Sequence, residues 1–197
     1  MKQENVKIPS SIERLLKEKS YAVDGIGMSG SAVRIYDDSV LKIQPFSVET
    51  DNEYKLLQFF SQRNLAPKVI AREVVDGTDF LLMEKCRGKM LCDSDFLSNP
   101  RKLMEIAGIL LHEMWSISTA NCPVNASLNN KLKSAEYNVT HNLVEIDNVM
   151  PTTFGANGRF ANPEQLLKWL IDNKPCEELA VTHGDFCLPN VFFDGAR

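Results

Sequence analysis

The segment VTHGDFCLPNVFFDGAR, residues 181–197, sets His183, Asp185 and Asn190 at fixed spacing inside an otherwise apolar run. A carboxylate on a tight loop can accept a proton from an attacking hydroxyl, or orient that hydroxyl. An asparagine carbonyl five residues further on can ligate magnesium, a hard ion that prefers oxygen. His183 is expected to serve the scaffold through a hydrogen bond rather than acid–base chemistry. Cys187 has no base placed beside it by the sequence, so it is read as incidental rather than nucleophilic.

Two features upstream point to phosphate. In GIGMSGSAV, Gly25, Gly27 and Gly30 lie between two strand signals rather than between a strand and a helix. That placement, with no GK[ST] ending, weakens a Rossmann or Walker reading. A glycine turn between antiparallel strands can fold over a nucleotide's phosphates with its backbone N–H groups, while an ordinary hairpin shares the composition. Lys42, in VLKIQP, sits in the middle of a strand signal one strand later. A strand lysine can pair with a helix glutamate so that the ammonium is held against phosphate oxygens. Glu53 suits that role, but Glu49 and Asp51 compete, and pattern alone does not choose between them.

These groups need a scaffold. Residues 9–19 read as a short charged helix capped by Ser10 or Ser11. YAVDGIG, SAVRIYDD and SVLKIQP are β-prone segments broken by glycine and aspartate turns. ETDNEYKLLQFFSQRN places Tyr54, Leu57 and Leu56 or Phe60 at helical spacing. PKVIAREVV and TDFLLMEK flank Asp76–Gly77, a hairpin turn. Beyond CRGKML the pattern turns helical. Leu103, Ile106, Ala107, Leu110, Leu111, Met114 and Ile117 predict a buried helix over 101–117. A second helix is expected over 128–145, and a third from Pro163 to Ile171 with Asn162 as its cap. LAVTH and VFF read as strands flanking the 183–190 segment, VFF with its edge unpaired. The expected architecture is an antiparallel sheet lobe followed by a helical lobe, joined near residues 85–88.

Composition narrows the class. The 197-residue chain is 44% apolar and 24% charged, as in soluble globular proteins. A net charge of −4 argues against nucleic acid, whose phosphates want a basic face. The five cysteines show no CxxC spacing and there are three histidines, so neither a zinc site nor a disulfide framework is indicated. No signal peptide and no membrane-spanning stretch is visible. Free thiols in the cytoplasm are the natural expectation, with no membrane partner. The acidic residues from Glu145 to Asp147 could meet a polycation, but a solvated face is the preferred reading.

HGDFCLPN resembles the H-G-D-x-x-x-x-N catalytic loop of the aminoglycoside phosphotransferase family, relatives of the protein kinases. GMSGSAV is similar to that family's nucleotide-positioning loop, Lys42 and Glu53 match its ion pair, and FLLMEK resembles the strand leading into the interlobe hinge. CPVNASLNNKL and PCEELAVTHGD resemble the 3′-phosphotransferase subgroup. The similarity runs from about residue 20 to the last residue.

The resemblance implies an α+β, protein-kinase-like two-lobe fold. A nucleotide-binding lobe would span residues 1–86, and a helical lobe with the catalytic loop residues 87–197. ATP or GTP would lie between the lobes, its adenine on backbone groups from Glu84 to Cys86 with Met83 beside it. Lys42, held by Glu53, would grip the α- and β-phosphates; Gly27, Ser29 and Gly30 would belong to the loop covering the β- and γ-phosphates. Asp185 would orient the 3′-hydroxyl of an aminoglycoside, and Asn190 would hold one magnesium ion. One departure is expected to matter. The family carries a further aspartate on the strand after the catalytic loop, and later helices that complete the substrate pocket; neither occurs by Arg197, and Asp194 is a poor substitute. On this reading the 197 residues alone are an incomplete helical lobe and inactive. Other readings are a kinase of another small alcohol (choline, a macrolide, a ketosamine) and an inactive nucleotide-binding or interaction module.

Overall fold

The computed structural model describes residues 6–23, 31–145, 149–150, 152–156 and 158–195. The first compact unit comprises residues 1–124 with 181–197, the second residues 125–180. The first unit opens with a short helix α1 (Ser10–Leu15) and contains strands β1 (Ala22–Val23), β2 (Ala32–Ile35) and β3 (Ser39–Pro45). Helix α2 (Val48–Ser61) follows, then strands β4 (Val69–Val75) and β5 (Thr78–Glu84). The five strands form one antiparallel sheet in the order β1-β2-β3-β5-β4. β4 and β5 join through Asp76 and Gly77, both at positive φ (49° and 74°), as a tight primed turn requires.

Strand parity gives the two faces of the sheet different tasks. Leu41, Ile43, Phe80 and Leu82 share one face and pack with Tyr36 and with Ile12 and Leu16 from the α1 segment. This is the apolar core. The serines expected to cap α1 do not do so. Pro9, already extended at φ −56° and ψ 140°, occupies the cap position, and the Ser11 hydroxyl instead bonds Glu73 on β4.

The opposite face carries Lys42 and Gln44 on β3 and receives α2. Ser47 starts that helix through a capping box, its side chain accepting from the Thr50 amide while Thr50 Oγ1 accepts from the Ser47 amide. Arg72 then ties α2 to the sheet. Its guanidinium donates to both oxygens of Asp79 (2.9 and 3.0 Å) and to Asp51 of α2 (2.8 Å), and it lies 4.3 Å from the centre of the Tyr54 ring. Asp79 is fully buried. Its charge there demands such a partner.

Beyond the sheet, β6 (Lys89–Met90) and the short helix α3 (Ser94–Leu97) precede helix α4 (Pro100–Trp115), which Asn99 caps. The stripe expected on α4 faces inward, each of its residues buried or half-buried. Met104 and Ile109, which lie off the stripe, are 71% and 61% exposed, so the helix is amphipathic rather than the buried helix expected. β6, from earlier in the chain, pairs antiparallel with β7 (Phe192–Phe193), and among the described residues the ribbon has only these two strands, so one edge of VFF stays unpaired. Leu91, Phe96, Ile106 and Val191 close a small core beneath this ribbon. Leu179–His183 forms no strand; no ladder partner reaches it, and only Val181 is buried.

In the second unit α5 (Leu128–Thr140) and α6 (Pro163–Asp172) form as the sequence predicts, α5 ending five residues early. Asn162 caps α6 by accepting from the Gln165 amide, with Pro163 at the first helical position. No helix among the described residues is long and apolar enough to cross a membrane.

Two expected outcomes follow from the packing. Gly88 has φ +84°, and a Cβ there would stand 2.2 Å from the Phe193 carbonyl oxygen. Gly88→Ala should therefore lower stability by at least about 1–3 kcal/mol in urea unfolding. Arg72→Met, which strands the Asp79 charge, should cost about 3–5 kcal/mol, and a loss below about 1 kcal/mol would contradict a buried pair. Acid should weaken the same region. Asp51 is held below the usual carboxylate range by Lys55 first and then Arg72. A carboxylate depressed in the folded state stabilises above its unfolded pKa, and that contribution is lost as pH falls through its folded value. Unfolding should therefore become easier below about pH 4, and less steeply so in Asp51→Asn.

Candidate active site

Of the three acidic residues competing for Lys42, the structure selects Glu53. Lys42 Nζ lies 2.6 Å from Glu53 Oε1. Asp51 is occupied by Arg72 and Lys55, at 2.8 and 2.7 Å. Glu49 is drawn toward Ser47, which holds its carboxyl below the usual range. The selection is geometric. Lys42 and Gln44 project from the sheet face that α2 covers, and Arg72 fixes the helix with Glu53 turned toward that face.

Glu53 has a second partner that sequence reasoning missed. Gln44 Nε2 donates to Glu53 Oε2 at 3.1 Å, and Gln44 Oε1 accepts from Ser31 Oγ at 3.1 Å. The signal was present in SVLKIQP, where alternation puts Lys42 and Gln44 on one face. Arg72 and Asp79 were missed as well. Opposite charges at diagonal positions across the Asp76–Gly77 hairpin were the available clue.

The expected nucleotide-loop residues Gly27, Ser29 and Gly30 lie outside the described residues. Met83 and Glu84 end β5, and Cys86 follows. There the Glu84 amide donates to the Lys68 carbonyl (2.9 Å) and the Lys85 amide to the Asp38 carbonyl (3.0 Å), fixing the backbone beyond the strand. Burial pushes the Cys86 thiol up, which disfavours its thiolate.

Asp185 and Asn190 come together within one loop. Gly184 takes φ +83° to turn the chain, and a helical turn over Leu188–Asn190 brings the asparagine back. Asn190 Nδ2 donates to Asp185 Oδ2 at 2.8 Å and to the Asp185 carbonyl at 3.1 Å. The Cys187 amide donates to the same carbonyl at 3.0 Å, and the Asn190 amide to the Cys187 carbonyl at 2.9 Å. The loop is then anchored just past its end, where the Leu91 amide donates to the Val191 carbonyl at 2.9 Å. Asp185 and Asn190 are exposed, so both are open to a ligand.

His183 departs from expectation: it makes no hydrogen bond among the described residues. Its ring instead meets Phe186 edge-on at 6.1 Å. As an exposed side chain it can be satisfied by solvent and needs no protein partner. Cys187 is an exposed free thiol, and nothing in the loop recruits it as a nucleophile.

The arrangement offers hard oxygen donors and a carboxylate on one loop, and a paired lysine on the sheet. Comparison with known proteins agrees with that chemistry. The model of the phosphotransferase enzyme family matches residues 22–197. An aminoglycoside 3′-phosphotransferase of Campylobacter jejuni is 30% identical over 150 residues, covering 75% of this chain and 56% of the relative. One of Enterococcus faecalis is 26% identical over 200 residues, covering 95% and 74%. The chain thus spans little more than half of the first relative's length and about three quarters of the second's. Among solved structures, a type VIII aminoglycoside-3′-phosphotransferase matches with a TM-score of 0.66 at 21% identity, over 93% of this chain and 69% of that one. An aminoglycoside phosphotransferase of Streptomyces rimosus, solved with ADP and streptomycin, matches with a TM-score of 0.62 at 18% identity, over 93% and 68%. The fold is therefore the α+β, kinase-like fold of these enzymes, and the chain belongs to the phosphotransferase enzyme family.

Proposed function

We propose that the protein moves the γ-phosphoryl group of ATP or GTP to the 3′-hydroxyl of an aminoglycoside, and so confers antibiotic resistance. The observation that carries this reading is the Asp185–Asn190 contact, which joins a candidate base and a candidate metal ligand on one anchored loop. The substrate class rests on the 3′-phosphotransferases that the chain resembles.

Each residue then has a task. Asp185 accepts a hydrogen bond from the attacking hydroxyl, aligns it and takes its proton as the phosphoryl group moves. Asn190 keeps that carboxylate oriented by donating to one of its oxygens. Lys42 sets a positive charge against the nucleotide's phosphates, and Glu53 keeps the ammonium in place. Backbone groups from Glu84 to Cys86 receive the base, with Met83 against its face. Gly27, Ser29 and Gly30 belong to the loop that covers the β- and γ-phosphates. We assign nucleotide holding to residues 1–86 and the catalytic loop to residues 87–197.

Magnesium fits the donors present. The Asn190 amide nitrogen is committed to Asp185, which leaves its carbonyl oxygen as a hard donor beside a carboxylate. Asn190 would hold the ion, with Asp185 close by. When bound it neutralises phosphate charge. No cluster of three acidic, histidine or cysteine side chains occurs among the described residues; magnesium shared with phosphates and water does not demand one. Nucleotide supply and the five free thiols suit a cytoplasmic location.

The test is a pair of variants in the protein as its gene encodes it. Asp185→Asn should lower kcat by about 10²- to 10⁴-fold with little change in nucleotide KM. Lys42→Ala should act chiefly on the nucleotide side. Near-normal turnover in Asp185→Asn would remove the assignment.

A further inference from the structure

Gln44 is an anomaly of β3. Alternation places it on the same face as Lys42, yet only 5% of its surface is exposed, while flanking Pro45 is exposed. A buried amide must find partners, and Gln44 finds two that belong to the candidate site. Its nitrogen donates to Glu53 Oε2 and its oxygen accepts from the Ser31 hydroxyl, each at 3.1 Å. Ser31 directly follows Gly30 in the chain.

We infer that Gln44 is a positioning residue for phosphoryl transfer, acting through Glu53 on Lys42 and tying both to the end of the glycine-rich segment. The inference rests on the function proposed above. Glu53 divides its two oxygens, one to the lysine at 2.6 Å and the other to Gln44. With the lysine alone, the carboxylate could turn about its terminal bonds and the flexible ammonium would follow it. The second bond fixes the carboxylate plane and so fixes where Nζ rests. A neutral amide is the suitable group. It donates to a carboxylate without adding charge, whereas a glutamate at 44 would repel Glu53 and compete for Lys42. The neighbouring strand supports the same arrangement, because Gln44 stands opposite Asp79 in the β3–β5 register, and Asp79 anchors the Arg72 that holds α2. Glu53 is therefore constrained through its helix by Arg72 and through its carboxylate by Gln44.

A double-mutant cycle tests this, read by the affinity for Mg·ATP and Mg·GTP and by kcat/KM. Gln44→Met keeps length and shape but not the hydrogen bonds. It should weaken nucleotide affinity or kcat/KM by about 10-fold, the scale of one bond to a charged group. In a Glu53→Ala background the same change should cost less than about 2-fold, because coupled residues share one loss. Equal losses in both backgrounds would show Gln44 to be mere sheet packing and overturn the inference. Should Gln44→Met fail to fold, Gln44→Glu runs through the same cycle, and there a larger loss than for Met is expected in the wild-type background only. Lys42→Ala is the control. If it changes neither affinity nor transfer, the reading of the site fails and takes this inference with it. If it impairs them while the Gln44 losses stay additive, only the inference falls.

Discussion

The buried pair between Arg72 and Asp79 is the constraint on which the site depends. A carboxylate with no exposed surface is costly unless an opposite charge meets it with good geometry, and Arg72 does so through two parallel bonds. The guanidinium fork has a third donor to spend, and it reaches Asp51 on α2. The stiffness of the β4–β5 hairpin is thereby passed to the helix. Glu53, half a turn further along, inherits its position. A lysine in that place would lack the fork and could not satisfy both aspartates in fixed directions.

The loop that carries Asp185 and Asn190 is built differently. Phe186 and Leu188 pack against the small core, and local hydrogen bonds between Asp185, Cys187 and Asn190 set the loop's geometry. The β6–β7 ribbon and the small core around Leu91 and Val191 anchor it. Gly88 permits that ribbon to close, since any side chain there would meet the Phe193 backbone. An exposed carboxylate on a short, hydrogen-bonded loop suits phosphoryl transfer, where positioning and charge neutralisation do most of the work.

Much of this was legible in the sequence, and the reasons differ by element. The Asp76–Gly77 hairpin, the Asn162–Pro163 helix start and the Lys42 strand were readable because each follows from local backbone chemistry. HGDFCLPN was readable because its spacing is itself the motif. The β6–β7 ribbon was not, because its two short strands are about a hundred residues apart in the chain and neither carries a strong period. Glu53 could not be separated from Glu49 and Asp51 by pattern, since the choice is made by Arg72 across the sheet. The helix-start serines misled for a plainer reason: Pro9 had already taken the cap position. The α4 stripe held because its period is local, and Met104 and Ile109, which fall outside it, are the apolar residues left exposed.

Transfer of a phosphoryl group by this site to one particular hydroxyl is tested most directly by the structure of the product. The protein as its gene encodes it, given magnesium, ATP or GTP, and kanamycin, should yield a singly phosphorylated antibiotic whose phosphorus is assigned by NMR to the 3′-oxygen. An analogue lacking the 3′-hydroxyl should remain unmodified under the same conditions. Phosphate found at another position, equal modification of the deoxy analogue, or no phosphorylated product with either nucleotide would contradict the account.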